Sequence, residues 1–213
     1  MTITKTFATS AACAVLLTAS ALTAQGANLI KNGGFEKPVL APGGYKCFKT
    51  GQTFANWTVV GATANVCVIN TTYTSDGFTF PAEAGAQSID LTGSGSNQAE
   101  GVSQNIATTP GAAYKLTFWV GNIVDPAGSL GTTSTVNVLV NGVQVYSATN
   151  SLGTGSTSVV WQMFTATITS LTAETSIAFI NGDPVTDNSN ILDGISLVPQ
   201  ADDEVPAIEP QEN

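Results

Sequence analysis

The side chains that could do chemistry in this 213-residue chain are mostly carboxylates. There is no histidine and no arginine, and fifteen Asp and Glu residues outnumber six Lys, which gives a formal net charge of −9. Without histidine the chain lacks serine triads, cysteine–histidine dyads and the usual zinc sites. The acidic balance argues against nucleic acids and anionic membrane surfaces as partners. Any catalysis would therefore rest on carboxylates.

Five acids in the middle of the chain are candidates for such catalysis. A glycosidase needs two carboxyl groups about 5 to 10 Å apart across a cleft. No pair with that relationship can be identified from sequence spacing, and a domain of this size is small for a cleft enzyme. We therefore expect a non-catalytic protein and keep a glycosidase as the alternative. Its candidate residues are Asp76, Glu83, Asp90, Glu100 and Asp125.

Two other acids stand near the two ends of the expected domain. Glu36 closes the stretch NLIKNGGFE, and Asp193 lies within NILDGISLV. If the first and last strands of a sandwich meet, these acids can converge, and close carboxylates repel each other unless a cation joins them. Carboxylate and carbonyl oxygens suit Ca²⁺, and the NGG turn offers carbonyls. We predict a structural Ca²⁺ held by Glu36 and Asp193; alternatively, Glu36 is a surface acid beside Lys37.

The N-terminal segment, residues 1–26, has the pattern of a secretory signal peptide. Lys5 supplies the positive charge, an apolar stretch follows at 11–22, and small residues precede Ala27. A membrane anchor is the alternative, but the apolar stretch is shorter than the ~20 residues that a span needs. We therefore expect secretion to the extracellular space and a mature chain without a membrane span.

Loss of the signal peptide would remove Cys13 and leave Cys47 and Cys67. In an oxidising compartment these two form a disulfide that closes a loop of about 20 residues. A reactive or metal-binding thiol pair is the alternative, but no histidine or neighbouring base supports it. We predict the disulfide Cys47–Cys67.

Short apolar alternations between turn signals indicate ten or so β-strands, and no comparable stretch shows a helical period. This pattern is typical of an all-β, antiparallel β-sandwich. One domain is expected over residues 27–199. The composition then changes to five acids and two further prolines, which predicts an acidic, disordered tail over 200–213.

The stretch TVNVLVNGVQVYS (135–147) gives the clearest strand register. Asn-Gly between two alternating runs predicts a two-residue hairpin turn. The implied pairs place valines 136, 138, 140, 143 and 145 on the core face and Asn137, Leu139, Gln144 and Tyr146 on the other. In YKLTFWV the same alternation points Tyr114, Leu116, Phe118 and Val120 inward and Lys115, Thr117 and Trp119 outward.

An outward tryptophan beside amides suggests sugar recognition, because flat rings stack on pyranose faces and amides reach sugar hydroxyls. The candidate residues are Trp119, Asn137, Gln144 and Tyr146. Alternatively, Trp119 and Tyr146 pack under a loop or a sheet edge. Loop aromatics around the predicted disulfide could also line a sugar site: Tyr45, Phe48, Tyr73 and Phe78.

Seven segments of the sequence occur in the order found in a known family. The chain resembles the plant cell-wall family catalogued as domain of unknown function 642 and bacterial relatives called choice-of-anchor C proteins, over about residues 28–198. The resemblance implies a galactose-binding-like jelly roll akin to carbohydrate-binding modules, which often hold one structural Ca²⁺ near the termini, at positions matching Glu36 and Asp193. The segments are NLIKNGGFE, the Trp57 region, FPAEAGAQSIDLTG, GVSQNI, TPGAAYKLTFWVG, the 161–168 strand and NILDGISLV.

Plant members of that family carry two modules in tandem, whereas this chain has room for one. Together these features predict a secreted, non-catalytic module that binds a cell-wall or extracellular-matrix polysaccharide. A structural or adhesive matrix protein that binds other proteins is the alternative, because exposed aromatic side chains would serve it equally well.

Overall fold

The computed structural model describes residues 26–94 and 97–200. The predicted signal peptide (1–26) and acidic tail (200–213) lie outside the described residues except for one residue each. Within the described ranges no helix has the length and apolar character needed to cross a bilayer.

Fourteen strands build the described part of the chain, and they pair antiparallel. One six-stranded sheet, sheet A, has the order β1-β4-β7-β14-β9-β12, and the second, sheet B, has the order β11-β10-β13-β8-β3-β2. The predicted all-β, antiparallel sandwich is therefore confirmed. The strands are β1 (Tyr45–Lys49), β2 (Thr53–Phe54), β3 (Trp57–Gly61), β4 (Asn65–Asn70), β5 (Thr74–Ser75), β6 (Phe78–Thr79), β7 (Gln87–Asp90), β8 (Glu100–Ala107), β9 (Ala113–Asn122), β10 (Ser134–Val140), β11 (Val143–Asn150), β12 (Val160–Thr169), β13 (Glu174–Asn181) and β14 (Ile191–Pro199).

The core between the sheets centres on four buried aromatic rings. Trp57 stacks on Phe35 with ring centroids 5.5 Å apart and meets Phe179 edge-on at 6.2 Å. Phe118 then contacts Phe179 at 5.4 Å. Because Phe118 comes from sheet A and Trp57 and Phe179 come from sheet B, these rings join the two layers.

The two ends of the domain lie side by side. The Leu29 amide donates to the Leu197 carbonyl at 2.8 Å, and the Leu197 amide donates to Asn28 Oδ1 at 2.9 Å. The Ile195 amide donates to the Gly33 carbonyl at 3.0 Å. The N-terminal segment thus runs along β14, and the NGG turn lies against the last strand.

The alternation predicted for β9 is confirmed. Tyr114, Leu116, Phe118 and Val120 are buried in the core, while Lys115 is exposed and Thr117 and Trp119 are half-buried on the outer face of sheet A.

The predicted hairpin is confirmed at its turn but not further along. Asn141 and Gly142 both have positive φ, Val140 pairs with Val143, and Leu139 pairs with Gln144. A bulge then shifts the register, so that Val138 pairs with Tyr146 instead of Val145. The extra residue in β11 changes which side chains face the core.

The core face predicted for β11 was therefore wrong. Val145, at the bulge, is 51% exposed, and Val143, which keeps its predicted partner Val140, is 65% exposed beside the turn. Tyr146 instead turns inward and meets Phe118 edge-on at 6.4 Å. Since β11 is the edge strand of sheet B, the bulge has no outer neighbour to disturb.

Sheet A carries a second apolar cluster on its outer face, beneath the loops around residues 71–86 and 151–159. Its buried members include Ile69, Phe80 and Ile123, and Trp161 packs against them and donates from Nε1 to the Pro81 carbonyl at 3.1 Å. The predicted disulfide is confirmed: Cys47 and Cys67 are paired across β1 and β4 and belong to this cluster. Loops thus cover part of the outer face of sheet A.

Candidate functional site

The four residues predicted to bind sugar do not form one site. Trp119 lies on the outer face of sheet A, while Asn137, Gln144 and Tyr146 belong to β10 and β11 of sheet B. Asn137 alternates with the buried Val136 and Val138 and faces outward from sheet B. Trp119 and Asn137 therefore lie on opposite outer faces of the sandwich.

The three sheet B candidates also differ from one another. Gln144 is exposed, and Asn137 is half-buried and accepts a hydrogen bond from Ser147 Oγ at 2.9 Å. Tyr146 packs on the core ring of Phe118. Neither Trp119 nor Tyr146 therefore offers a ring on the outer surface beside Asn137 and Gln144.

Trp119 lies close to the last strand. Its strand partner is Asp193, and a Cβ built on the neighbouring Gly194 would lie 2.8 Å from Trp119 Cδ1 and 3.5 Å from Glu83 Oε2. Glu83 belongs to the loop over residues 81–86, which connects β6 to β7. The indole that the sequence pattern places outward therefore lies close to Gly194, and Glu83 of the 81–86 loop approaches the same glycine.

The two acids predicted to bind a cation meet at this same loop. Asp193 Oδ2 accepts hydrogen bonds from the Glu83 and Ala84 amides at 2.9 and 3.3 Å. Glu36 Oε1 accepts hydrogen bonds from the Ala86 and Gln87 amides at 2.8 and 3.2 Å. One carboxylate from each end of the domain therefore holds one half of the 81–86 loop.

Gly34 lies near both of these acids. A Cβ built on Gly34 would lie 3.7 Å from Asp193 Oδ1 and 3.9 Å from Glu36 Cγ, so the side chains of both acids approach this glycine. The Asn32 and Gly33 carbonyls of the turn accept hydrogen bonds from the Trp57 indole and the Ile195 amide. Within the described residues no group of three Asp, Glu, His or Cys side chains is arranged to hold a metal ion, so backbone carbonyls would have to supply further ligands.

Asp193 is fully buried, and burial raises its pKa to about 7. Amide hydrogen bonds from Gly194, Ala84 and Glu83 oppose this shift, and the negative charge of Glu83 adds to it. A buried carboxylate with an acidic neighbour is a position where a cation would offset the unfavourable charge.

A cleft of about 310 Å³ opens farther along the outer face of sheet A, and we call it the aromatic–acidic cleft. Three rings and three carboxylates share its lining, together with one side-chain amide, two serines and three small or apolar residues. The rings are Tyr73, Phe78 and Phe80; the acids are Asp76, Asp90 and Asp125; the others are Asn188, Ser75, Ser129, Ile69, Gly93 and Leu130.

A short hairpin builds one wall of the aromatic–acidic cleft. β5 and β6 are joined by Asp76 and Gly77, both with positive φ, which suits a two-residue turn. The Thr79 amide donates to the Thr157 carbonyl at 2.9 Å, and the Val159 amide donates to the Thr79 carbonyl at 3.1 Å. The hairpin that carries Asp76 and Phe78 is thus fixed to the segment before β12.

A second hollow of about 270 Å³ adjoins the cleft and shares Phe78 and Asp125 with it. The Phe78 ring therefore borders both spaces. The two together offer room for more than one unit of a chain-like ligand.

Two of the cleft's acids hold loops. Asp90 Oδ1 accepts hydrogen bonds from the amide and hydroxyl of Thr92 at 2.9 and 2.7 Å, and burial raises the pKa of Asp90 to about 6. Asp125 accepts from the Leu130 amide at 2.7 Å and from Ser129 Oγ at 2.9 Å, and the bond from Leu130 lowers its pKa. Asp76 at the hairpin tip is exposed.

The remaining candidates for catalysis lie elsewhere. Glu83 stands beside Gly194 and Trp119, and Glu100 is buried at the start of β8, where its Oε2 accepts from the Gln98 amide at 2.7 Å. The structure thus brings three of the five acids together, and all three accept local hydrogen bonds, Asp76 from Ser75 Oγ at 3.2 Å.

Two hollows within the described residues lie on sheet B. One of about 650 Å³ is lined by polar residues such as Lys31, Ser103 and Asn105, and another of about 330 Å³ by Val60, Leu139 and Ile180 among others. Neither contains an aromatic side chain. Of the four hollows described here, the two with aromatic rings in their lining lie on sheet A.

Sequence reasoning marked Tyr73 and Phe78 as possible rim residues but missed Phe80 and the hairpin that presents them. The signal was present: the Asp-Gly dipeptide at 76–77, flanked by Thr-Ser and Phe-Thr, is typical of a two-residue β-turn. The attachment of this hairpin to residues 157–159 has no local signature.

The family model described as a protein of unknown function, DUF642, matches residues 28–194. The chain belongs to the DUF642 family. Among curated proteins none matches this DUF642 chain significantly.

Solved structures similar to this DUF642 protein include a cyclase from Fischerella sp. TAU, at 21% identity and a TM-score of 0.56, covering 80% of this chain and 95% of the cyclase. They also include carbohydrate-binding modules. The N-terminal CBM22-1–CBM22-2 tandem domain of Paenibacillus barcinonensis Xyn10C has 18% identity and a TM-score of 0.49, covering 85% of this chain and 48% of the other. A CBM4 structure has 18% identity and a TM-score of 0.41, and the match covers 79% of this chain and 98% of the CBM4 chain. The likeness to the cyclase shows a shared fold.

Proposed function

We propose that this DUF642 protein is a secreted, non-catalytic carbohydrate-binding module that binds an extracellular polysaccharide. The observation that carries the proposal is the aromatic–acidic cleft, where Tyr73, Phe78 and Phe80 share a lining with hydrogen-bonding side chains. Rings that stack on pyranose faces and polar groups that reach hydroxyls are what sugar binding requires. The signal-like N-terminus and the Cys47–Cys67 disulfide support an extracellular location.

The engagement of the cleft's acids supports binding rather than hydrolysis. Asp90 and Asp125 use carboxylate oxygens to hold Thr92, Ser129 and Leu130. A retaining or inverting glycosidase would need two acids directed at one glycosidic bond from either side. In the proposed module these acids shape the cleft instead.

A glycan array followed by affinity electrophoresis on the bound glycan tests this proposal. Phe78→Ala is expected to weaken binding about tenfold, because one stacked ring contributes on the order of 1.4 kcal/mol. Met163→Ala is the control, since Met163 is a 53% exposed apolar side chain of sheet A that does not line the cleft.

An Asn137→Ala, Gln144→Ala double variant tests the opposite face. If Phe78→Ala binds the glycan as the parent does and the double variant binds it more weakly, the sugar site lies on sheet B and not in the cleft. Absence of any bound glycan would contradict the proposed function itself.

We further propose that a structural Ca²⁺ is held by Glu36 and Asp193 beside Gly34. It would join the two ends of the domain to the 81–86 loop. At a free Ca²⁺ concentration a hundredfold above Kd, binding would stabilise the folded protein by roughly 2.7 kcal/mol. Removing the ion with a chelator is therefore expected to lower the melting temperature of the purified protein by about 5 to 10 °C.

The matched comparison uses Glu36→Gln and Glu174→Gln, two acids of which the second is exposed on β13. Chelation should leave the melting temperature of Glu36→Gln nearly unchanged and should lower that of Glu174→Gln as in the parent. An equal drop in both variants would exclude Glu36 as a ligand.

An adhesive matrix protein is a second candidate, favoured by one observation. Val143 and Val145 expose apolar side chains on the edge strand β11. Exposed apolar side chains beside an unpaired strand edge suit contact with another protein. Binding to an extracellular protein that Val145→Lys abolishes, with no glycan bound, would favour this candidate.

A further inference from the structure

The charged side chains that line the aromatic–acidic cleft are all acidic. Asp76 and Asp125 contribute two carboxylates to its lining, and Asp90 is a third acid, whose pKa is raised by burial to about 6. The whole chain has no arginine, and none of the five lysines within the described residues lines the cleft. A ligand in this cleft therefore meets negative charge without a compensating positive side chain.

This charge disfavours acidic sugars. A uronate carboxylate in the cleft would approach groups of its own sign while losing contact with water. Like-charge juxtaposition across an interface is a common way to reject a wrong partner. The cleft is consequently suited to neutral or positively charged sugars.

The rings add a preference for positive charge. Ammonium groups are attracted to the faces of aromatic rings and form charge-assisted hydrogen bonds with carboxylates. Phe78 and Asp76 stand on one hairpin, and Asp125 lies beside Phe78 in the adjoining hollow. The hydrogen bond from Leu130 lowers the pKa of Asp125, so that this acid carries its charge in mildly acid solution.

On the basis of the proposed sugar binding, we propose that the aromatic–acidic cleft takes a glycan with free amino groups, of the glucosamine type, and rejects polyuronates. The ammonium group of the sugar lies between the hairpin carboxylate and the rings. Asp76 and Asp125 determine the charge preference, and Phe78 provides the stacking surface.

The experiment compares three oligosaccharides of equal length at pH 6 and physiological salt. They are a β-1,4-glucosamine hexamer, its fully N-acetylated counterpart and an oligogalacturonate. The amine-bearing hexamer is expected to bind about tenfold more tightly than the acetylated one, because hydrogen bonds with charged groups are stronger than neutral ones. The oligogalacturonate is expected not to bind.

Matched variants separate a built site from general attraction to an acidic protein. Asp76→Asn and Glu174→Gln remove the same charge, the first in the cleft and the second on β13. Asp76→Asn should reduce affinity for the amine-bearing hexamer about fivefold and spare the acetylated one, and Glu174→Gln should change neither.

Equal effects of the two variants, or binding of the oligogalacturonate as tight as that of the amine-bearing hexamer, would overturn this inference. Phe78-dependent binding of the acetylated hexamer alone would also overturn it while leaving the proposed function in place. If none of the three oligosaccharides and no array glycan binds, both proposals fail together.

Discussion

Replacing Trp57 with alanine is expected to lower the free energy of unfolding by about 3 to 5 kcal/mol, the usual cost of removing a buried aromatic side chain. Trp57 has no exposed surface, contacts Phe35 and Phe179, and donates from Nε1 to the Asn32 carbonyl at 2.9 Å. The change would leave a cavity between the sheets and would remove one of the two hydrogen bonds that the Asn32 carbonyl accepts, the other coming from the Phe35 amide. Urea denaturation followed by fluorescence measures the effect.

Two further variants keep this prediction testable if Trp57→Ala fails to fold. Trp57→Phe retains most of the packing but loses the indole hydrogen bond, and it should cost less than the alanine change. Trp161→Ala removes a half-buried tryptophan from the outer cluster and should also cost less. A smaller loss for Trp57→Ala than for Trp161→Ala would contradict the assignment of the main core.

With a chelator present, the free energy of unfolding is expected to fall as pH rises from about 4 to 7. The fall is about 1.4 kcal/mol per pH unit for each acid that is protonated in the folded state and ionised in the unfolded state. Burial raises the pKa of Asp183 from 3.8 to about 7, with additions from the charges of Asp187 and Asp90. In this window the folded state retains a proton that the unfolded state releases, so acidification favours folding. Asp90, with a pKa raised to about 6, acts in the same direction.

Asp183→Asn is the variant that isolates this effect. Asp183 Oδ1 accepts from the Thr135 amide at 2.6 Å, which the amide oxygen of asparagine can replace, and Oδ2 is buried without a hydrogen-bond partner among the described residues. The variant should be more stable than the parent at pH 8 and less dependent on pH, whereas the exposed Glu174→Gln should match the parent. Identical pH slopes for Asp183→Asn and the parent would refute the account of this buried acid.

Much of the fold could be predicted from sequence because its strands obey local rules. The alternation from Tyr114 to Val120 predicts the faces of β9 correctly, and Asn141-Gly142 predicts a turn that the structure contains. Both signals depend on residues within a few positions of one another. The hydrogen bond between Leu29 and Leu197 places the first and last segments side by side, which is the arrangement expected for a sandwich whose ends meet.

The bulge in β11 could not be predicted, because an extra residue in an edge strand leaves the hydrophobic pattern unchanged. Valines 143 and 145 alternate as core residues would, yet they are exposed and Tyr146 is turned inward. One shifted residue is sufficient to reverse the faces of a strand. The sequence pattern therefore misplaced a tyrosine that packs on Phe118.

The site depended on contacts that are distant in sequence. Trp119 is outward on its own strand, but Glu83 of the 81–86 loop, which Asp193 and Glu36 hold, approaches the Gly194 beside it. The rings of the aromatic–acidic cleft come from the segment 73–80, which is fixed by hydrogen bonds to residues near 158. Nothing in the local sequence indicates which loop lies over which part of a sheet.

The most direct test of the account is a titration of ¹⁵N-labelled protein with the glycan selected by the array, read as shifts of backbone amide signals. The account predicts that the largest shifts fall in the β5–β6 hairpin, in the loop after Asp125 and at Asn188, all around the aromatic–acidic cleft. Shifts confined to β10 and β11, around Asn137 and Gln144, would contradict it.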